Sequence, residues 1–368
     1  MNANRWLSGV FALLAWGCTH ARPPPPAEEP RVARSYETVN VAPGVYGFIA
    51  PEARVGLVSG NSVAVIGDAA GLVVDSGHFP GLTRRMIGDI RRLTDKPIRF
   101  LVNTHWHPDH HSGNGVYREL VPEVTILSTS YTRTQMEKQA GRFDSPESLT
   151  TAAVTVRERL ASGKKRDGTP LTAEDRRYAQ DVLEAIDDAI PEFRQVKPAP
   201  PDVGFEQRLV VDLGRRSVEV AFLGRGNTAG DAVVYVPDAK VLITGDLVVA
   251  PVPYAIGSFF GDWIQTMRKL EAMDAVAVVP GHGPVQRDKE YLRLVTSLLE
   301  SVAAQTKAAV QQGLTLEETR AKVDLEDFRK RFAGDNQIRA RAFKDAFVTP
   351  GVARGWREAK EGPLQDED

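Results

Sequence analysis

A single cysteine, Cys18, stands in the 368 residues, so no internal disulfide can form and no cysteine cluster can hold a metal. No sign of charge dominates either: 46 Lys and Arg face 48 Asp and Glu, a formal net charge of −2. Phosphate recognition needs a concentrated basic surface, so nucleic acid is excluded as the main partner. No internal repeat is visible. What is present, 42% hydrophobic and 26% charged residues, excludes general disorder. The length allows two domains, or one large domain with additions. Histidine is rare as well, at seven residues, yet four of them fall within His105–His111.

The first residues read as an address. After Arg5, Trp6–Thr19 carries no charge and is shorter than the roughly 20 residues that cross a bilayer, which suits the apolar part of a secretory signal. Its end, Leu14-Ala15-Trp16-Gly17-Cys18, resembles the lipobox of a bacterial lipoprotein, with Trp16 where a small residue is usual. That resemblance implies a signal over 1–18 and a lipid-bearing Cys18 anchoring the chain at the periplasmic face of a membrane. An ordinary cleaved signal would leave the protein free in the periplasm. Residues 19–35, with Pro23-Pro24-Pro25-Pro26, read as an extended tether.

From Tyr36 the patterning becomes globular. Gly44–Ile49, Ser62–Ile66 and Gly71–Asp75 are short apolar runs bounded by turn residues and predict strands. Pro80–Leu93 predicts a helix and Ile98–Val102 a buried strand, a strand–helix–strand order that indicates a layered α/β sheet. Residues of about 130–201 predict a helical insertion. Ser145-Pro146 is a helix start, Thr172-Ala173-Glu174-Asp175 is a capping box, and Tyr178, Val182, Ile186 and Ile190 share a face. Strands are predicted again at Ser217–Leu223, Ala232–Val236, Val241–Thr244 and Ala275–Val279. Residues 286–368 predict a helical extension with Leu292, Val295, Leu299, Val302 and Val310 on one stripe. Its 15 basic and 15 acidic side chains read as solvated helix faces.

The chemistry concentrates in Asn103-Thr104-His105-Trp106-His107-Pro108-Asp109-His110-His111. In extended backbone, residues i and i+2 point the same way, so His105 and His107 can grip one ion. A helical turn starting near Asp109 redirects Asp109 and His110 toward a second. Imidazole with carboxylate suits zinc, and also iron or manganese. Any one histidine is more often an ordinary core or surface residue. Four within seven positions are not explained that way.

His-x-His-x-Asp-His after a strand resembles the signature of the metallo-β-lactamase superfamily. The resemblance covers about residues 40–285 apart from the insertion. It implies a four-layer αββα sandwich in residues 36–285, with the helical insertion and the C-terminal helical extension as additions that wall a substrate pocket. It implies ligands at His105, His107, Asp109 and His110, then Asp246 in Thr244-Gly245-Asp246 bridging two metals, and His282 in Pro280-Gly281-His282-Gly283. Asp75 matches the acidic residue that supports the metal-binding loop. One position departs: Gly226-Asn227-Thr228-Ala229-Gly230-Asp231 carries Asn227 where the family has histidine. A neutral amide is the weaker donor. Two Zn2+ are therefore expected, with the first (His105, His107, Asn227) held less tightly than the second (Asp109, His110, His282); Mn2+ and Fe2+ are the alternatives.

The expected function is an exported metal-dependent hydrolase that turns a metal-bound hydroxide on an amide, lactam, lactone or ester of a small-molecule substrate, with Asp109 as the catalytic proton carrier. Alternatives on the same scaffold are a mononuclear iron oxidoreductase acting on sulfur compounds, a β-lactamase proper, and a binding protein that has lost catalysis. The last needs more than one lost ligand. His78 and His111 are expected to be ordinary, Trp106 to lie near the metals, and Tyr254, Phe259, Phe260 and Trp263 to line the pocket or pack the core. Leu223–Gly230 has its third glycine misplaced for a dinucleotide loop, and Ser162-Gly163-Lys164-Lys165 lacks the companions of a serine acylase.

Overall fold

A computed structural model describes residues 35–53, 57–140, 142, 145–165 and 168–365. The expected signal, the proline-rich tether up to Arg34 and the lipidation position Cys18 lie outside them.

Alternating apolar residues set the first strands. β1 (Glu37–Ala42), β2 (Val45–Ile49), β3 (Ser62–Ile66) and β4 (Gly71–Val74) pair antiparallel in sequence. The Pro80 start of α1 (Pro80–Leu93) supplies a preset helical φ, and Leu82, Met86, Ile87 and Ile90 bury one face of the helix. That helix returns the chain so that β5 (Ile98–Val102) joins β4 in parallel. Two short helices, α2 (Pro108–His111) and α3 (Asn114–Leu120), lead to β6 (Thr125–Thr129), again parallel.

The insertion is helical as predicted: α4 (Ser130–Gln139), α5 (Pro146–Ser162) and α6 (Ala173–Phe193). Ser145 caps α5 through the Ser148 N–H, and the Thr172/Asp175 capping box opens α6 with both reciprocal bonds formed. β7 (Val203–Phe205) then completes a seven-stranded sheet in order β1 to β7.

The second sheet has five strands in the order β12-β11-β10-β9-β8. β8 (Arg208–Asp212), β9 (Ser217–Phe222), β10 (Ala232–Val236) and β11 (Val241–Val249) run antiparallel, β10 and β11 joined by a hairpin turn at 237–240. α7 (Phe260–Ala272) crosses over to the parallel edge strand β12 (Ala277–His282). α8 (Glu290–Gln311), α9 (Leu316–Lys322), α10 (Glu326–Ala333), α11 (Gln337–Ala342), a π-helical turn over Phe343–Val348 and α12 (Thr349–Glu361) form the C-terminal extension. Among the described residues no helix is long and apolar enough to cross a membrane.

Strand periodicity sorts the core into layers. Leu72, Val74 and Val102 face Val218, Val220, Val234 and Ile243 of the other sheet, while their neighbours Val73 and Leu101 face outward onto Met86, Ile87 and Ile90 of α1. On the far side Val233 and Leu242 take Trp263, Met267 and Leu270 of α7 and the Leu292, Val295, Leu299 and Val302 stripe of α8. The order α, β, β, α is the expected sandwich.

Some boundaries differ from those read in the sequence. β1, β6, β7 and β8 were not predicted: β6 and β7 are short, and Glu37 and Asn40 in β1 and Arg208 and Asp212 in β8 break the apolar alternation. β11 runs past Thr244 to Val249, and β12 begins at Ala277 and includes His282; Val276, expected inside it, is 57% exposed. Val310 is only half-buried, since α8 ends one residue later and Ala309 completes the stripe.

Candidate metal centre

Four segments far apart in sequence bring their donors to one rim of the sandwich. β5 ends at Val102, and the loop after it carries His105 and His107 into the space between the sheets before α2 begins at Pro108. The switch from extended to helical backbone turns Asp109 and His110 the other way, as expected. β11 brings Asp246 and β12 brings His282. Gly245 makes this possible: its φ of 51° is in the left-handed region, the β11–β12 register shifts there, and a Cβ would lie 2.6 Å from Thr104 Oγ1. The irregularity re-aims Asp246 into the centre.

Two donor groups result. In the first, His105 Nε2 lies 2.9 Å from His107 Nδ1 and 3.7 Å from Asp246 Oδ2. In the second, Asp109 Oδ2 is 3.0 Å from His282 Nε2 and 3.5 Å from His110 Nε2; His110 Nε2 is 3.2 Å from His282 Nε2 and 3.2 Å from Asp246 Oδ1. His282 Nε2 is 3.6 Å from the same Asp246 oxygen. Bonds of about 2.0–2.1 Å in a tetrahedron place ligand atoms roughly 3.3 Å apart, so Asp109, His110 and His282 have the spacing of a zinc site; His105, His110 and Asp246 form a second set of mutually close donors that shares His110, and His107 lies outside both sets. Asp246 Oδ1 is buried without a hydrogen-bond partner, the condition of a carboxylate oxygen kept for a cation. The residues fit divalent metal, and Asp246 sends one oxygen toward each group.

The surrounding residues fix the donors. Asp75, at a φ of 56°, accepts hydrogen bonds from Thr104 N and Thr104 Oγ1, each 2.8 Å, and its Oδ2 is 2.8 Å from His110 Nδ1. Asp75 thus contacts both Thr104 and His110 of the loop that carries the donors. Asn61, not singled out in the sequence, donates to the carbonyls of Pro280 and Gly283 and so clamps the His282 turn from both sides. Only a Gly-Asn-Ser turn signal marked it. Asp231 accepts from Thr228 N and Thr228 Oγ1, which shapes the loop that presents Asn227.

Asn227 is buried, and its amide nitrogen is 3.5 Å from His107 Nδ1, which places it beside the first group, the thinner of the two. Of the other candidates, His78 lines the cavity above the centre, its Nδ1 2.7 Å from the Val58 carbonyl, outside both donor groups. His111 Nε2 is 2.9 Å from the Trp106 carbonyl, and the Trp106 ring lies 4.8 Å from the His107 ring at 67°, close to the centre as expected. Asn114 bonds Ser76, Asn103 and Ala199 and so holds the loop.

Charge in this rim is strongly coupled. Burial pushes His105 well below its usual value, and the neighbouring His110 and His107 add to the effect. Burial also opposes charge on His110, but Asp246, Asp109 and Asp75 outweigh it and hold its imidazolium well above the usual value. Burial would raise both Asp109 and Asp246; the facing His110 and His282 reverse that and keep them ionised. Burial, reinforced by Asp246 and Asp109, raises the Tyr254 phenol, so it keeps its proton.

A cavity of about 570 Å³ opens onto the centre, with His107, Asp109, Asn227 and Asp246 at its floor. Its walls are the additions: Arg177, Tyr178 and Asp181 from α6, Ile338 and Arg341 from α11, Asp345 from the π-helical turn. Arg341 ties the two together, 3.2 Å from Asp175 Oδ1 and stacked 4.8 Å over the Tyr178 ring. Tyr254 lines this cavity too, whereas Phe259, Phe260 and Trp263 are fully buried core.

Comparison with known proteins agrees with the geometry. The family model described as the metallo-beta-lactamase superfamily matches residues 55–282. A linear primary-alkylsulfatase from Pseudomonas sp. (strain ATCC 19151) is 29% identical over 266 residues, covering 69% of this chain and 48% of that protein. The chain thus spans about half the length of that curated relative. Among solved structures, a metallo-beta-lactamase from Pontibacter korlensis is 19% identical with a TM-score of 0.52, covering 72% of this chain and 99% of the other. The DIM-1 metallo-beta-lactamase is 18% identical with a TM-score of 0.51, covering 73% and 98%. At these identities the two structures show a shared fold.

Proposed function

The chain belongs to the metallo-β-lactamase superfamily, and on that premise we propose that it is a dinuclear zinc hydrolase of esters, with sulfate esters of apolar alcohols first among its substrates. The observation that carries the reading is Asp246, whose Oδ1 faces His110 at 3.2 Å and whose Oδ2 faces His105 at 3.7 Å. Zinc bound there would supply Lewis acidity and an acidified water.

The chain's own residues supply the rest. Asp109 reaches the cavity floor and is kept ionised by its imidazole neighbours, so it can hold and carry the proton of an attacking water. Asp75 fixes the ring of His110, and Asn61 fixes the turn of His282. The helices of the insertion and the extension narrow the approach and exclude bulk water. The sulfate ester is favoured over the amide, lactam and lactone by the relative named above, an alkylsulfatase. A mononuclear iron oxidoreductase is the second reading, favoured by the amide of Asn227 beside the thinner donor group.

The test is a panel of primary alkyl sulfates, carboxylic esters, lactones and nitrocefin, run on protein reconstituted with Zn2+, Mn2+ or Fe2+. Ester cleavage by the zinc form is expected. Oxygen uptake by the iron form, with no hydrolysis by any form, overturns the proposal. We further propose export with a lipid anchor at Cys18; Cys18→Ser should move the protein from the membrane to the soluble periplasmic fraction.

A further inference from the structure

Tyr254 stands where two cavities meet. The first, about 570 Å³, reaches the donors through His107, Asp109 and Asp246. A second, about 670 Å³, reaches them from the other side through His282 and is walled by Ile49, Pro51, Pro251 and Val252. Five residues line both: Ala53, Val58, Tyr254, Ile338 and Ala342. Among the described residues, the phenol of Tyr254 is the only polar side chain in that shared wall. A substrate whose scissile bond lies at the donors therefore extends one arm into each cavity, past this residue.

The tyrosine is held for such a contact. Its ring meets that of His282 edge-on, at 6.0 Å and 62°. The segment carrying it is pinned to the extension by Ala255 N donating to the Ala346 carbonyl at 2.9 Å and by Arg354 donating to the Ser258 carbonyl at 2.8 Å. Among the described residues no hydrogen bond engages the hydroxyl.

We infer that the Tyr254 hydroxyl donates a hydrogen bond to the leaving-group oxygen of the substrate, an inference that rests on the hydrolase reading above. The oxygen of water forms a bond to the attacked sulfur or carbon, and Asp109 accepts the water's proton. The bond to the leaving oxygen breaks, and its electron pair stays on that oxygen as the apolar arm withdraws into the second cavity. Tyr254 stabilises the charge while keeping its own proton, and the proton taken up by Asp109 finally neutralises the oxygen.

Tyr254→Phe tests this directly. Because no hydrogen bond from a described residue engages the hydroxyl, its removal strands no partner among them, and zinc content and Tm should stay at wild-type values. With esters of one acid, kcat should fall about 100-fold for an alkyl alcohol, a poor leaving group, and less than about threefold for 4-nitrophenol, which needs no such help. An equal fall for both, or none for either, overturns the inference. Wild-type protein that cleaves neither ester refutes the hydrolase reading and this inference together; wild-type turnover with an indifferent variant refutes the role of the tyrosine alone.

Discussion

Asp75 Oδ2 accepts a hydrogen bond of 2.8 Å from His110 Nδ1, and this contact decides which nitrogen of His110 faces the donor centre. With Nδ1 committed, Nε2 is the atom left for His282, Asp246 and Asp109. A carboxylate behind an imidazole also makes it a better ligand. Asp75→Asn keeps the shape and tolerates the left-handed backbone of this position, so it isolates the charge. Zinc affinity at the second site should fall about 10- to 100-fold, measured by competition with a chromophoric chelator. Unchanged affinity would show that the carboxylate only braces Thr104.

The two metal sites should differ in strength. His105 and His107 lie beside the amide of Asn227, whereas Asp109, His110 and His282 form a set of three mutually close charged or imidazole donors. Stepwise chelation followed by mass spectrometry should remove one zinc well before the other. Asn227→His should close the gap by strengthening the weaker site. Two zincs lost together from the parent protein would contradict this asymmetry.

Gly60 is where the loop before β3 touches His110. A Cβ there would lie within 2.7 Å of three atoms of the imidazole ring, and Gly60 N already donates to the Asp109 carbonyl. Gly60→Ala should therefore displace the ring, cost roughly 1–3 kcal/mol of stability by overpacking, and lower second-site zinc occupancy. Thermal unfolding and metal analysis together check it. A variant with full zinc would show that the loop yields instead of the histidine.

Metal uptake should release protons. His110 is held protonated above its usual range by three carboxylates, and a cation entering at Nε2 must displace that proton. Zinc affinity should therefore rise with pH across neutrality. The stability that the His110 imidazolium contributes runs the opposite way: it is complete below the pKa of the unfolded chain and is lost as pH rises through the higher folded value. Calorimetry in buffers of different ionisation enthalpy counts the protons directly; zero release at neutral pH contradicts the assignment.

Much of the centre was legible in sequence because its donors sit on short stretches with a local signature. His105 to His110 span a strand end and a helix start, and Asp246 and His282 follow glycine-marked turns in the expected order. The supports were less visible. Asn61 acts through two carbonyls more than 200 residues away, and no periodicity marks a residue that works by such a contact. Tyr254 could be core or cavity on sequence alone, and its aromatic neighbours Phe259 and Phe260 proved to be core. β8 was missed because its alternation carries Arg208 and Asp212 on an edge that faces water, while the π-helical turn leaves no pattern distinct from an α-helix.

The walls of the approach come from two stretches, α6 and α11, that share no strand with the donors and are latched to one another by Arg341. Selection can therefore redraw what enters by editing that latch and its helices, while the catalytic rim keeps its shape. On this architecture, relatives with near-identical histidines should differ widely in diet, and sequence change in the two helices should report the difference before any change at the rim does.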